Sequence, residues 1–331
     1  MCGGGVSCDF ACSDWNVNML LPYPEGNKWG FVDGCGHWRV EPLYSNVDSF
    51  YEGMAIVDDE YGCKGGIDKD GAMVVPFDYK DLQRFEGGGG IGVRISDAMC
   101  GIVNLSGEFI GLERDSWGWN LGKGMFATYS HSKKGFRIVD VRGVQTNNLV
   151  YQDVLGMETH LIHCRREGEF RIEDMQGCVQ RVFYVDRMEN FFNGRAIACC
   201  EDLYGVIDLS GNPIVAMKFR DIQRIDDVMD RYVLVLLNNE DEDRFHLLDI
   251  KTGLISEWYV EDMFHVVAGH RNYYWALQNG VWSVMDEEFE VILSNVGFSA
   301  NDTIMDGLVL VEGRNGWKYY RHEEGLIEVL F

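Results

Sequence analysis

Short apolar runs separated by polar turns recur along this chain, and the first complete set lies between Lys28 and Val57. Lys28-Trp29-Gly30-Phe31-Val32-Asp33 is aromatic and β-branched, Gly34-Cys35-Gly36 is a turn, and Trp38-Arg39-Val40 is a second run. That pattern predicts a β-hairpin. Asp33 followed three places on by Gly36 suits a type I turn closed by a left-handed glycine and a bulge. Pro42 interrupts the second run, Val47 and Phe50 open a third, and Gly53 precedes Met54-Ala55-Ile56-Val57, a run with the composition of a buried strand. The unit holds three or four short strands.

The turn pair then returns as Asp68/Gly71, Asn104/Gly107, Asp140/Gly143, Asp174/Gly177 and Asp208/Gly211, with a period of 34 to 36 residues. Asp249/Gly253 follows after 41 residues and Asp286, in a copy without the glycine, after 37 more. Eight copies are counted. Asn315-Gly316-Trp317-Lys318-Tyr319-Tyr320 begins a ninth hairpin, which a strand near Val17 to Leu21 is expected to complete. Segments of the second half of the unit recur in phase, as in Pro76-Phe77-Asp78-Tyr79 and Phe192-Asn193-Gly194-Arg195-Ala196. Several signals sharing one phase identify a repeat architecture.

Lys28-Trp29-Gly30, Asp33, Gly36, Glu41-Pro42, Tyr44, Phe50 and Glu52-Gly53-Met54-Ala55, in that order, resemble the WG (KWG) repeat proteins. The match is strong in the first two copies and recognisable in the sixth; copies four, five, seven and eight keep the period without the Trp-Gly pair. Such proteins are mostly bacterial and of unassigned molecular function. The resemblance implies β-structured interaction modules and carries over no catalytic residue.

One unit cannot bury both of its faces, so neighbours must stack, and the series must cap its ends or close. The expected fold is all-β, a closed β-propeller of about eight small blades, with an open twisted β-solenoid as the alternative. No window keeps apolar residues at helical spacing, so helix should be scarce. Residues 1–27 read as a leader with a ring-closing strand and residues 28–331 as the repeat array.

Composition narrows the function classes. With 29 basic and 53 acidic side chains the net charge is −24, which repels nucleic acid and anionic membrane surfaces and favours a basic protein partner. Ten cysteines in 331 residues, Cys199 and Cys200 being adjacent, suit neither a disulfide framework nor metal spacing. The N-terminal residues lack a signal-peptide pattern, so a cytoplasmic monomer is expected, with lipidation of Cys2 a weak alternative.

Candidate chemistry is sparse. Cys2, Cys8 and Cys12 are ligand types near one another, but a leader strand is preferred to a metal knot. His160, His163 and Cys164 fall on a strand whose alternation sends the two histidines to opposite faces. Asp68-Lys69-Asp70-Gly71 begins like a calcium loop without its later ligands, and Glu86-Gly87-Gly88-Gly89-Gly90 lacks the lysine of a phosphate loop. No nucleophile motif is present, so no catalytic, cofactor or metal residue is assigned. Two departures from the repeat mark candidate partner-binding surfaces: Trp117 and Trp119 in the third copy, and Glu240, Asp241, Glu242 and Asp243 in the lengthened link to the seventh. The leading expectation is a non-enzymatic protein-binding platform, such as an immunity or adaptor protein. The rival is a small-molecule or glycan receptor, or a hydrolase, working at the ring mouth.

Overall fold

The computed structural model describes residues 19–85, 88–114, 116–158, 161–225, 231–238, 244–268, 271–300, 308–314, 316–323 and 326–329, with the backbone alone at 267–268 and 322–329. Every regular element among them is a β-strand, and every strand pairing is antiparallel between sequence neighbours.

The Asp/Gly turns form as their chemistry requires. Asp33 Oδ1 accepts the backbone N–H groups of Cys35 and His37, while its carbonyl accepts that of Gly36, whose φ is 79°. Asp68, Asn104, Asp140, Asp174 and Asp208 repeat this arrangement. Asp249 spans the longer turn to Gly253. At Asp286 the turn survives the loss of glycine because Phe289 adopts φ 63° and packs its ring on Tyr232 and Tyr274.

The Trp-Gly pair has a separate cause. Gly30, Gly65 and Gly205 lie on the last-but-one strand of their blades, where the pairing to the outermost strand slips by a bulge. A Cβ on Gly30 would lie 2.8 Å from the Glu41 carbonyl and closer still to that of Val40; one on Gly65 would meet the Phe77 ring at 2.9 Å. The glycine is there to let the bulged strand approach.

Strands sort into seven separate sheets and one seven-stranded sheet. The larger sheet is two units that share the long strand Met73–Arg84, which pairs with Lys64–Ile67 through its first half and with Gly90–Arg94 through its second. Nine units result, and nine apolar clusters fill the spaces between them. Phe31 and Val40 of the first unit pack on Phe50 and Val57 of the second, and this continues around to Trp275 and Val284 of the eighth against Val309 and Val311 of the ninth. The decisive cluster joins Leu21 and Val32 of the first unit to Leu308, Leu310 and Tyr319 of the ninth. Trp29 and Trp317 meet there edge to face at 5.7 Å, the Tyr23 hydroxyl donates to the Trp317 carbonyl at 3.1 Å, and that of Tyr319 donates to the Pro22 carbonyl. A row open at both ends would have one junction fewer than units. The protein is a closed β-propeller of nine blades.

The structure refines the expected ring of about eight small blades. Among the described residues nine blades are found, because the sequence unit 28–57 is the last two strands of one blade plus the first two of the next. Leu21–Glu25 pairs with Lys28–Val32 inside the first blade, while Val17 and Asn18, where the expected ring-closing strand begins, lie outside the described residues. The ninth blade has four strands of its own, Ser299–Ala300, Leu308–Gly313, Gly316–Glu323 and Leu326–Val329. An open solenoid is excluded by the junction between first and last blades.

Candidate functional site

Within a blade the first strand is innermost and the fourth is the exposed outer edge, as in Val179–Phe183 and Val291–Gly297. First-to-second loops and the Asp/Gly turns leave at one end of the ring, here the turn end. Second-to-third turns and the links between blades leave at the other, the link end.

Toward the turn end, polar side chains of the inner strands reach back to the preceding blade. Asn120 donates to the Arg84 carbonyl at 3.4 Å, and Arg84 donates to the carbonyls of Ser49 and Met54. Burial pushes the Arg84 guanidinium below its ordinary range, against the opposing pull of Asp48 and Tyr51. Farther round, His163 Nδ1 lies 2.8 Å from Asn190 Oδ1, and Arg224 stacks on the Phe192 ring at 3.9 Å while pairing with Glu189 at 3.5 Å. These contacts tie neighbouring blades. The cavities beside them, about 460 Å³ at Asp48, Tyr51 and Arg84 and about 360 Å³ at Glu158, His163 and Asn190, hold one carboxylate each. Neither pairs two carboxylates for acid–base work.

The link end differs in surface chemistry. Among the described residues, four of the five exposed large aromatics lie there: Tyr61 (82% exposed) in the turn of the second blade, Trp117 (46%), Tyr184 (84%) and Phe298 (54%) in links between blades. Tyr51 is the one at the turn end. Tyr61 follows Asp58, Asp59 and Glu60, and Tyr184 lies near Asp186, with Glu201 and Asp202 in the adjoining turn. At both ends most carboxylates are committed: Asp58 pairs with Lys64, Asp59 and Asp186 accept turn N–H groups and Asp202 pairs with Arg187, while Glu60 and Glu201 face solvent as Asp70 and Glu288 do at the turn end.

The predicted surface residues fare differently. Trp117 stacks flat on Tyr129, with centroids 4.5 Å apart and 5° between planes, and leaves its other face open. The turn that follows Tyr129 and His131 carries Lys133 and Lys134, and its Ser132 N–H donates to the Glu113 carboxylate, so charges of both signs lie nearby. Trp119 is half-buried against Phe136 at 4.9 Å in the junction of the fourth and fifth blades, and works as a core aromatic. Glu240, Asp241, Glu242 and Asp243 lie outside the described residues. Tyr61 and Tyr184 were not singled out from sequence. The available signal was an aromatic inside Asp59-Glu60-Tyr61-Gly62, where turn chemistry asks for polar residues.

Metal readings find little support. Asp33, Cys35 and His37 cluster on the first turn, yet Asp33 is committed to two backbone N–H groups and Cys35 is disulfide-bonded. That bridge departs from the expectation that the cysteines stay unpaired; Cys63, Cys100, Cys164, Cys178, Cys199 and Cys200 are free. His163 faces Asn190, while Cys164 lies in the apolar junction, where burial pushes its thiol up to about 12. His160, Cys2, Cys8 and Cys12, and Glu86-Gly87 of the glycine-rich loop, lie outside the described residues.

Comparison with known families now has a structure to rest on. Residues 29–60 and 65–94 match the model of the WG containing repeat. This stretch is a pair of WG repeats. The matched WG segments each run from the last-but-one strand of one blade into the second strand of the next, in agreement with the phase of the sequence unit. No curated relative matches the chain in sequence. Among solved structures, a eukaryotic initiation factor superposes with TM-score 0.54 at 9% identity, covering 82% of each chain, a likeness that shows fold alone. The computationally designed Ika8 protein (TM-score 0.48, 12% identity, 86% of this chain and 94% of that one) and the C-terminal WD40 domain of Sif2 (0.40, 11%, 96% and 94%) are more distant.

Proposed function

We propose that this chain is a non-enzymatic, monomeric platform whose link end receives a basic protein in the cytoplasm, in the manner of an immunity or adaptor protein. The observation that carries the reading is the concentration of exposed aromatics at one end of the ring, two of them beside exposed glutamates, Glu60 and Glu201. Exposed tyrosines with few rotamers suit anchoring, and the net charge of −24 would speed encounter with a cationic surface. Tyr61 and Tyr184 are the anchors within acidic surroundings; Trp117 adds a rigid ring.

Affinity capture from the source lysate should compare the wild-type chain with Tyr61→Ala/Tyr184→Ala and with a rim control, Leu43→Ala/Leu254→Ala. A basic protein should be held by wild type and control, released by raised salt, and bound about tenfold or more weakly by the tyrosine variant. A partner that ignores the tyrosines, or that carries an acidic surface, would contradict the reading.

A further inference from the structure

The position held by glycine in the WG motif can be followed through all nine blades by its pairing and its distance from the turn. It is Gly30, Gly65, Gly101 and Gly205 in the first, second, third and sixth blades. Elsewhere it is Arg137, Arg171, His246, Ser283 and Lys318. Lys318 pairs with Val311 as Gly65 pairs with Val57, and it follows Trp317 as Gly30 follows Trp29.

Three of these replacements have partners within the protein. Arg137 lies 3.5 Å from Glu113, Arg171 binds Glu167 at 2.9 Å and Glu169 at 2.7 Å, and His246 Nδ1 is 2.9 Å from the Ser256 carbonyl. Lys318 is not ion-paired with any described residue. Nor is Arg314, in the turn four residues before it. Lys28, Arg39, Lys69, Lys80 and Lys123 are likewise not ion-paired with described residues; what sets Lys318 and Arg314 apart is that both line one cavity.

That cavity, about 580 Å³, lies between the eighth and ninth blades and falls in the size range of small-molecule sites. Lys318 and Arg314 supply charge, Asn295 supplies an amide, and Phe298 forms an open aromatic edge beside Val281 and Val296. Gly316 also lines it, and a Cβ there would meet nothing within 4 Å, so the backbone is approachable.

We propose that this cavity binds a small organic anion, its carboxylate or phosphate held between Lys318 and Arg314 and its flat apolar body against Phe298. Cations supply charge-assisted hydrogen bonds, Arg314 in a planar fork and Lys318 as a compact point charge. A flat body uses the exposed Phe298 ring, which a bare inorganic ion would leave in water.

Titration of the full chain by calorimetry with phenyl phosphate and benzoate, beside inorganic phosphate and neutral benzyl alcohol, tests this. The aromatic anions should bind more tightly than inorganic phosphate, and benzyl alcohol should not bind. Lys318→Gln and Arg314→Gln should each weaken binding about tenfold or more. Arg314 is exposed in a turn, so its variant reports even if Lys318→Gln unfolds the blade. Phe298→Ala should erase the advantage over inorganic phosphate. Equal binding by either cation variant, absence of binding by both aromatic anions, or binding only of an acidic peptide would overturn the proposal.

Discussion

Gly30 and Gly253 are both glycines, but physics needs them for different reasons. Gly253 has φ 74° and open space around its Cβ position, so Gly253→Ala should cost only the left-handed backbone penalty of about 1–2 kcal/mol. Gly30 is not in that conformation; its Cβ would collide with the backbone at Val40 and Glu41, which cannot move without undoing the bulge. Urea denaturation should therefore show Gly30→Ala to be more damaging, by about 1–3 kcal/mol beyond Gly253→Ala. Equal costs would mean that the bulge does not require the glycine. The turn carboxylates make a second prediction. Burial alone would raise the Asp140 and Asp249 carboxyls, but hydrogen bonds from turn N–H groups and from Arg142 and Arg231 outweigh it, and both lie below the ordinary range. At Asp208 the backbone N–H of Asn212 is the largest cause of the same shift. A depressed folded-state value means stability that is complete above the unfolded carboxylate range near ~4 and lost as pH falls through the folded values. Asparagine keeps the acceptor oxygen, as Asn104 does with Ser106 and Glu108. Asp140→Asn/Asp208→Asn should flatten the decline in urea midpoint between pH 5 and 2; an unchanged acid limb would contradict the role given to these carboxylates.

At the scale of elements, the turns were legible because their cause is local. An aspartate, its own backbone and a glycine three residues away suffice, and even the copy ending in Phe289 was recognisable from Asp286. The phase of the blades was not legible. Periodicity reports the length of a repeat but not where a blade begins, and only pairing across the junctions shows that Tyr44 and Asn46 belong to different blades. The first described strand was also hidden. Leu21-Pro22-Tyr23-Pro24-Glu25 carries two prolines, yet they alternate, so Leu21, Tyr23 and Glu25 keep their N–H groups on the side facing Lys28–Val32. The candidate site divides in the same way. Trp117 and Trp119 read alike in sequence, but Trp117 sits in the link before the strand Gly118–Gly122, stacked on Tyr129 and half-exposed, whereas Trp119 lies within that strand and packs into the junction core. Tyr61 and Tyr184 escaped notice because they break a turn rule rather than the repeat.

For the whole molecule, closure determines what the two ends can do. Nine small blades, each with a core shared with its neighbours, make a closed annulus with one end occupied by Asp/Gly turns and the other carrying most of the exposed aromatics. An open array would let first and last blades move apart and would leave Leu21, Val32, Leu308 and Leu310 to water. The most direct test is a double-mutant cycle across the closing junction, with Trp29→Ala, Trp317→Ala and the double variant compared by chemical denaturation. The two residues are far apart in sequence and meet only if the ring is shut, with ring centroids 5.7 Å apart. A closed ring predicts a coupling energy of about 0.5–1.5 kcal/mol. Additive losses, equal within about 0.3 kcal/mol to the sum of the single variants, would show that the first and ninth blades do not touch.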